Sequence, residues 1–262
     1  MKLFSLLTLL LAVTPGDLAF GLLTPQDAPP AQHRTTAEPK KGDEVSRMLE
    51  RIKSRTTAER REAIDQLAES GDPRAVEAVI AALKDQEGDV RASAANALGQ
   101  LGDKRAVDPL ISMLNDEVSF VRAAAARVLG QLGDAKAVDS LTTSLKDSNS
   151  TVRGAAAMGL GSLKESRAVP ALILAARDEA PDVRSAVAAA LGDLRDKRAI
   201  DPLIQSLKDE SRMVKLAAAL ALADIGDKRA VAALTEAMNG EKDEEARSQM
   251  KEALQRLLAS PE

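Results

Sequence analysis

The sequence predicts an all-α protein, an alpha-alpha superhelix of about seven two-helix repeats with a 31-residue period. Three observations carry that expectation. Val90, Val121, Val152, Val183 and Val214 stand 31 residues apart, and each is followed by a cation, Arg91, Arg122, Arg153, Arg184 and Lys215. Leu98, Leu129, Leu160, Leu191 and Leu222 keep the same step, as do Ala75, Ala106, Ala137, Ala168, Ala199 and Ala230. Between these columns apolar residues fall three and four apart, first in Val90, Ala94, Ala97, Leu98 and Leu101, then in Val107, Leu110, Ile111 and Leu114. That is the period of a helix face, and two helices fit into each repeat.

Composition points the same way. Hydrophobic residues make up 45% of the 262-residue chain although only three residues are aromatic, all Phe, because Ala and Leu are abundant. Small side chains of even size suit closely packed helices. The 40 acidic and 36 basic residues are interspersed, for a net charge of −4, so no basic field exists to attract phosphate and nucleic acid is not an expected partner. Cysteine is absent, which removes disulfides, thiolate nucleophiles and Cys-based metal sites together.

Three segments follow in order. Residues 1–21 read as a signal peptide: Lys2 precedes an apolar run to Val13, Pro15 and Gly16 break it, and Ala19 and Gly21 flank Phe20 as small residues that a signal peptidase accepts. Cleavage is expected after Gly21, or failing that after Ala19, and the protein is expected to be exported. The run is shorter than the roughly 20 residues of a membrane span, so membrane contact is expected only if this segment stays uncleaved. Residues 22–42 contain Pro25, Pro29, Pro30 and Pro39 and no apolar period, and read as a flexible linker. The single histidine, His33, lies there without carboxylate or Cys neighbours and is read as a solvated linker residue.

Residues 43–262 form the array. The first helix of each pair is designated A and the second B, so the stretch from Glu87 to Leu114 shows B of unit two and A of unit three. Weaker matches extend the pattern: Val45, Met48 and Ile52 upstream, and, with one extra residue, Ala246, Arg247 and Leu254 downstream. Gly71, Gly102, Gly133 and Gly226 follow B helices where a left-handed residue ends a helix. Asp72, Asp103, Asp134, Asp196 and Asp227 then stand at the next N-cap, Pro73 fits a first helical position, and Thr56 with Glu59 predicts a capping box. Lys164 and Arg195 occupy the glycine position in units four and five, so those turns are expected to differ. One unit buries too little apolar surface to offset the ordering of its chain, so the units must stack. The final B helix, Glu244 to Leu258, has a narrow apolar stripe among charges and reads as a solvent-facing cap.

The motif set is Val-Arg opening helix B, Leu-Gly ending it, then Asp and Ala-Val with Pro109 or Pro202 in helix A. It resembles the short HEAT-like repeats of the phycobilisome lyase (PBS lyase) family, a HEAT/armadillo-type solenoid, over residues 43 to 259. The resemblance is specific for fold and weak for function, because relatives include bilin lyases, deoxyhypusine hydroxylase and scaffolds. Ankyrin and tetratricopeptide signatures are missing. Deoxyhypusine hydroxylase holds iron with His-Glu pairs on its repeats; this array has no His, so that activity is not expected.

The resemblance also implies roles. The Arg91 to Lys215 series reads either as a cationic strip or as an internal ladder pairing with Asp85, Asp116, Asp147, Asp178 and Asp209, and the ladder is preferred. Gly99, Gly130, Gly161 and Gly192 recur singly with no strand before them, so they read as close-packing positions rather than a phosphate loop. The outer side of the B helices is implied to line a concave surface. There the columns depart from themselves: Asn96, Arg127, Met158, Ala189, Leu220; Gln100, Gln131, Ser162, Asp193, Asp224; and Asp89, Phe120, Thr151, Asp182, Met213. The candidate partner-binding residues are Asn96, Phe120, Arg127, Gln131, Met158, Asp193, Met213 and Asp224, lining a groove suited to an extended peptide or a helix. The expected function is an exported scaffold or adaptor that binds a protein or peptide, with no catalytic residue, cofactor, metal or small-molecule substrate. An enzyme or enzyme subunit of the lyase or hydroxylase class, or an envelope structural element, are the alternatives.

Overall fold

The computed structural model describes residues 41–260, so the expected signal peptide and nearly all of the linker lie outside the described residues. Among the described residues the regular elements are 14 α-helices and five short 3-10 turns. The helices pair as A and B in seven successive units: α1 (Lys41–Arg51) with α2 (Thr57–Ser70), α3 (Ala75–Ala82) with α4 (Gly88–Leu101), and α5 (Val107–Met113) with α6 (Ser119–Leu132). They continue as α7 (Val138–Ser144) with α8 (Ser150–Leu163), α9 (Val169–Ala175) with α10 (Pro181–Leu194), α11 (Ile200–Ser206) with α12 (Arg212–Ile225), and α13 (Val231–Gly240) with α14 (Glu244–Ala259). The fold is the expected all-α solenoid. Its first helix starts at Lys41.

Local chemistry sets the boundaries. Before each A helix from α5 onward the chain makes one 3-10 turn. Asp103, Asp134, Asp196 and Asp227 cap four of these turns, each carboxylate accepting the backbone N–H two residues on at 2.9–3.0 Å. Asp72 does the same for Arg74. Thr56 stands at the N-cap of α2 but its side chain makes no cap bond, and Glu59 accepts the Ser54 hydroxyl instead, so the predicted capping box does not form. The Ser54 hydroxyl, with Thr56, also holds the Glu59 carboxyl below its usual range.

The B helices from α2 to α12 end on a left-handed residue, whereas α14 ends at Ser260 in an extended conformation. Gly71, Gly102, Gly133 and Gly226 have φ of 60° to 75°. Lys164 and Arg195 were expected to change the turn, yet they adopt φ of 54° and 51°. The register of the stack overrides the local preference there, at a cost of roughly 1–2 kcal/mol per residue.

The core is one continuous stripe between the two helix layers. Val90, Ala94 and Leu98 of α4 and Leu110 of α5 are fully buried, and each later unit repeats the set. Consecutive B helices pack directly on one another from α2 to α14. Small residues permit this. A methyl group on Gly130 would lie 2.6 Å from the Gly159 Cα, one on Gly161 2.9 Å from the Ala190 Cα, and one on Gly192 2.8 Å from the Ala221 Cα. Helix α8 carries three glycines, Gly154, Gly159 and Gly161, in 14 residues. Neighbouring A helices instead leave clefts between them, of about 440 Å³ between α5 and α7, 450 Å³ between α7 and α9, and 480 Å³ between α9 and α11. A stack that is tight on its B side and open on its A side bends with the B helices inside.

An ion-pair ladder joins the units along one edge. Arg91 donates through Nε and Nη2 to both Asp116 carboxylate oxygens, at 2.7 and 2.9 Å, and through Nη1 to the carbonyls of Asp85 and Gln86. Arg122–Asp147, Arg153–Asp178 and Arg184–Asp209 repeat the rung. Arg60–Asp85 adds one before them, and Lys215–Glu241 closes the series. With these donors committed to internal acceptors, the arginine series is a structural ladder and not a surface for anions. The Arg guanidinium holds Asp147, Asp178 and Asp209 below the usual carboxylate range against the opposing effect of burial. At Asp116 burial is the largest influence and pushes upward, but Arg91 and the Val118 N–H together outweigh it. Glu241 is lowered to about 2, chiefly by Lys215 and then by the Asp243 N–H.

Candidate protein-binding face

The residues singled out in the sequence are carried by five consecutive B helices, α4 to α12, on their inner side. Each column position on one helix lies beside its counterpart on the next, because consecutive B helices touch at the same register. Phe120, Met158, Met213 and Leu220 are 48%, 57%, 51% and 40% exposed, which is unusual for large apolar side chains in a chain with a well-formed core. Between them the surface is made of small residues: Ala189 is exposed, and Gly154 faces open space, with no atom within 4 Å of the place a Cβ would occupy. Leu216, half-buried, extends the apolar strip along α12 beside Leu220. The first aromatic in the strip is anchored, since Phe120 packs against Gly88 at the start of α4.

Polar groups flank the strip unevenly. Arg127 donates to Asn96 Oδ1 at 2.5 Å across the α4–α6 seam, so these two candidates are one unit and the guanidinium keeps its charge. Gln131 leans over Gly99, its Oε1 2.8 Å from the place a methyl would take. Asp193 is exposed and overhangs Gly161 in the same way. Asp224 is not available as a free carboxylate: Arg256 of α14 binds it. Asp193 and Asp224 therefore do not form a carboxylate pair for acid-base chemistry.

Two features escaped the sequence reading. Leu174 on α9 is 77% exposed on the opposite, outer side. Its signal was present, because the same column elsewhere reads Ala81, Ser112, Thr143, Gln205 and Glu236. Lys228 was also missed: its ammonium donates to the carbonyls of Leu257 and Leu258 at 2.8 and 2.6 Å. It thereby satisfies acceptors that the C-terminal end of α14 leaves unpaired.

Chemically, the inner face offers apolar contact, the Arg127 guanidinium and the exposed carboxylates of Asp89, Asp182 and Asp193. Among the described residues no group of three or more His, Cys, Asp or Glu is placed to hold a metal ion. None of the curated proteins matches the chain by sequence. Among solved structures it is similar to the complex of CpcE and CpcF of phycocyanin lyase from Nostoc sp. PCC7120. That match has 23% identity and a TM-score of 0.55, and covers 81% of this chain and 94% of the other. YibA of E. coli is similar at 21% identity with a TM-score of 0.54, covering 80% of this chain and 92% of the other. Kap95p, in a structure with RanGDP, is similar at 13% identity with a TM-score of 0.62; the match spans 85% of this chain but 37% of Kap95p. These likenesses concern the fold. The sequence itself matches HEAT repeats over residues 45–127, 120–179 and 169–255, and with most of its length so matched the chain belongs to the HEAT repeat family.

Proposed function

We propose that this protein is an exported scaffold without catalysis of its own, which grips a protein or peptide partner along the inner face of its solenoid. The observation that carries this reading is the row of exposed large apolar side chains, Phe120, Met158, Leu220 and Met213, set among small residues on the B-helix side. Such a row is stable in water only at a cost that a partner's apolar surface removes. Arg127 and Asp193 then give a partner's charges a direction to follow. The solenoids similar to it support a protein partner, since CpcE and CpcF are found in complex with each other and Kap95p binds RanGDP. Export rests on the signal-peptide pattern of residues 1–21.

Crosslinking in the native cell envelope, followed by identification of the captured protein, tests the reading. One partner should be captured by the natural chain and lost from the double variant Phe120→Glu, Met158→Glu. Equal capture by both chains would refute the inner face as the binding surface. An enzyme subunit of the lyase or hydroxylase class is the competing reading, and it requires chromophore absorbance or bound metal in the purified protein.

A further inference from the structure

Helix α9 reads Val-Pro-Ala-Leu-Ile-Leu-Ala and has no polar side chain, whereas α5, α7 and α11 each carry Asp and Ser in the same seven positions. Unit five has exchanged a buried leucine for an outward one. Where other units bury Leu83, Leu114, Leu145 and Leu207 it has the smaller Ala176, and where they show small or polar residues it has Leu174. Leu174 is the most exposed large hydrophobic side chain among the described residues. It stands between two clefts, one lined by Thr142, Leu145, Ala171 and Ala175, the other by Ile173, Ala176 and Pro202. An apolar helix with one projecting leucine can pack on its own copy about a two-fold axis, as an isologous contact requires.

Charged groups on the helices flanking α9 can pair about such an axis, while α9 itself is followed only by the cation Arg177. Helices α7 and α11 begin with the exposed Asp139 and Asp201, and the exposed Lys146 and Lys208 follow their last turns. Lys146 and Lys208 have no ion-pair partner among the described residues, while Asp139 shares its carboxylate with Arg167 and Asp201 lies in the field of Arg229. Two such faces laid together with their helices antiparallel set each of these carboxylates against an ammonium of the other copy. We infer that a second copy of this chain covers α9. The two protomers meet about a two-fold axis that runs across the A helices, with α9 of each lying antiparallel on α9 of the other and both Leu174 side chains in the contact. Three helices about 10 Å long, spaced about 9 Å apart, offer roughly 300 Å² of flat face per protomer before the clefts are counted, so the dimer is weak and reversible.

Sedimentation equilibrium of the purified protein from about 1 to 300 µM, a range suited to small interfaces, tests this. The mean mass of the natural protein should rise toward twice the monomer. Leu174→Glu should stay monomeric throughout with an unchanged melting curve, because the side chain is exposed in the monomer. Lys146→Asp with Lys208→Asp should weaken association about tenfold or more, and adding Asp139→Lys with Asp201→Lys should restore it. Met158→Glu, on the inner face, should dimerise normally. A protein monomeric at all concentrations, a dimer indifferent to Leu174→Glu, or one lost in Met158→Glu would each overturn the inference.

Discussion

The same substitution, glycine to alanine, should have opposite effects at two positions on neighbouring helices. Gly154 in α8 faces open space, so a methyl there meets nothing and brings only the gain in helix propensity, about 0.5–1 kcal/mol. Gly130 in α6 would receive the same gain, but its methyl would lie 2.6 Å from the Gly159 Cα and 3.1 Å from the Gly159 carbonyl oxygen. Carbon atoms sit comfortably at about 3.5–4.0 Å, so α6 and α8 would have to separate by about an ångström. Both groups are backbone, with no flexible side chain to turn aside. Overpacking of this kind costs typically 1–3 kcal/mol, which leaves Gly130→Ala a net loss of up to about 2.5 kcal/mol. The two variants should therefore bracket the natural protein in urea unfolding followed by circular dichroism, with midpoints displaced in opposite directions and similar slopes. Equal stabilisation of both would mean that α6 and α8 are not in backbone contact, and the tight inner side of the stack would lose its support.

Removing one ladder carboxylate, Asp178→Asn, should cost about 3 kcal/mol by leaving the buried Arg153 with only the longer contact to the exposed Glu179, read as a lower urea midpoint. Lys164→Gly and Arg195→Gly should each stabilise by about 0.5–1 kcal/mol, the left-handed strain relieved less the extra entropy of an unfolded glycine, and thermal melts should show the effects adding. The ladder carboxyls have folded pKa values below their unfolded ones. Their stabilisation is therefore fully present above the unfolded value of about 3.9 and is lost as pH falls through the folded values. Their contribution to the urea midpoint should be level from about pH 5 to 8 and decline below about pH 4, and the share of Glu241 should be lost as pH falls through about 2. Met158→Glu, by contrast, should change stability by less than about 0.5 kcal/mol, because the side chain is exposed, while abolishing partner capture.

The array was legible because its residues repeat at a fixed step, and the ladder because Arg and Asp recur 25 positions apart. Irregular rungs were harder to see. Arg60 aligns with Arg91, but Glu59 replaces the valine that marks the column elsewhere, and the last rung substitutes Lys215 and Glu241 across a one-residue insertion. The exposed apolar residues of the inner face were also readable, since each breaks a column of small or polar residues. What the sequence concealed was pairing between units. Asp224 appears free in its own helix and is bound by Arg256, 32 positions on, while Arg127 is tied to Asn96, 31 positions back. Left-handed Lys164 and Arg195 were hidden for a similar reason, because the stack fixes that turn and local preference does not.

The three glycines of α8 bear on how the chain acquires its structure. Each lowers the tendency of that helix to form by about 0.5–1 kcal/mol relative to alanine, so α8 depends on α6 and α10 more than they depend on it. In a chain whose units touch only their neighbours, such a helix takes its order from the two seams it fills, so loosening either seam should be felt first in α8.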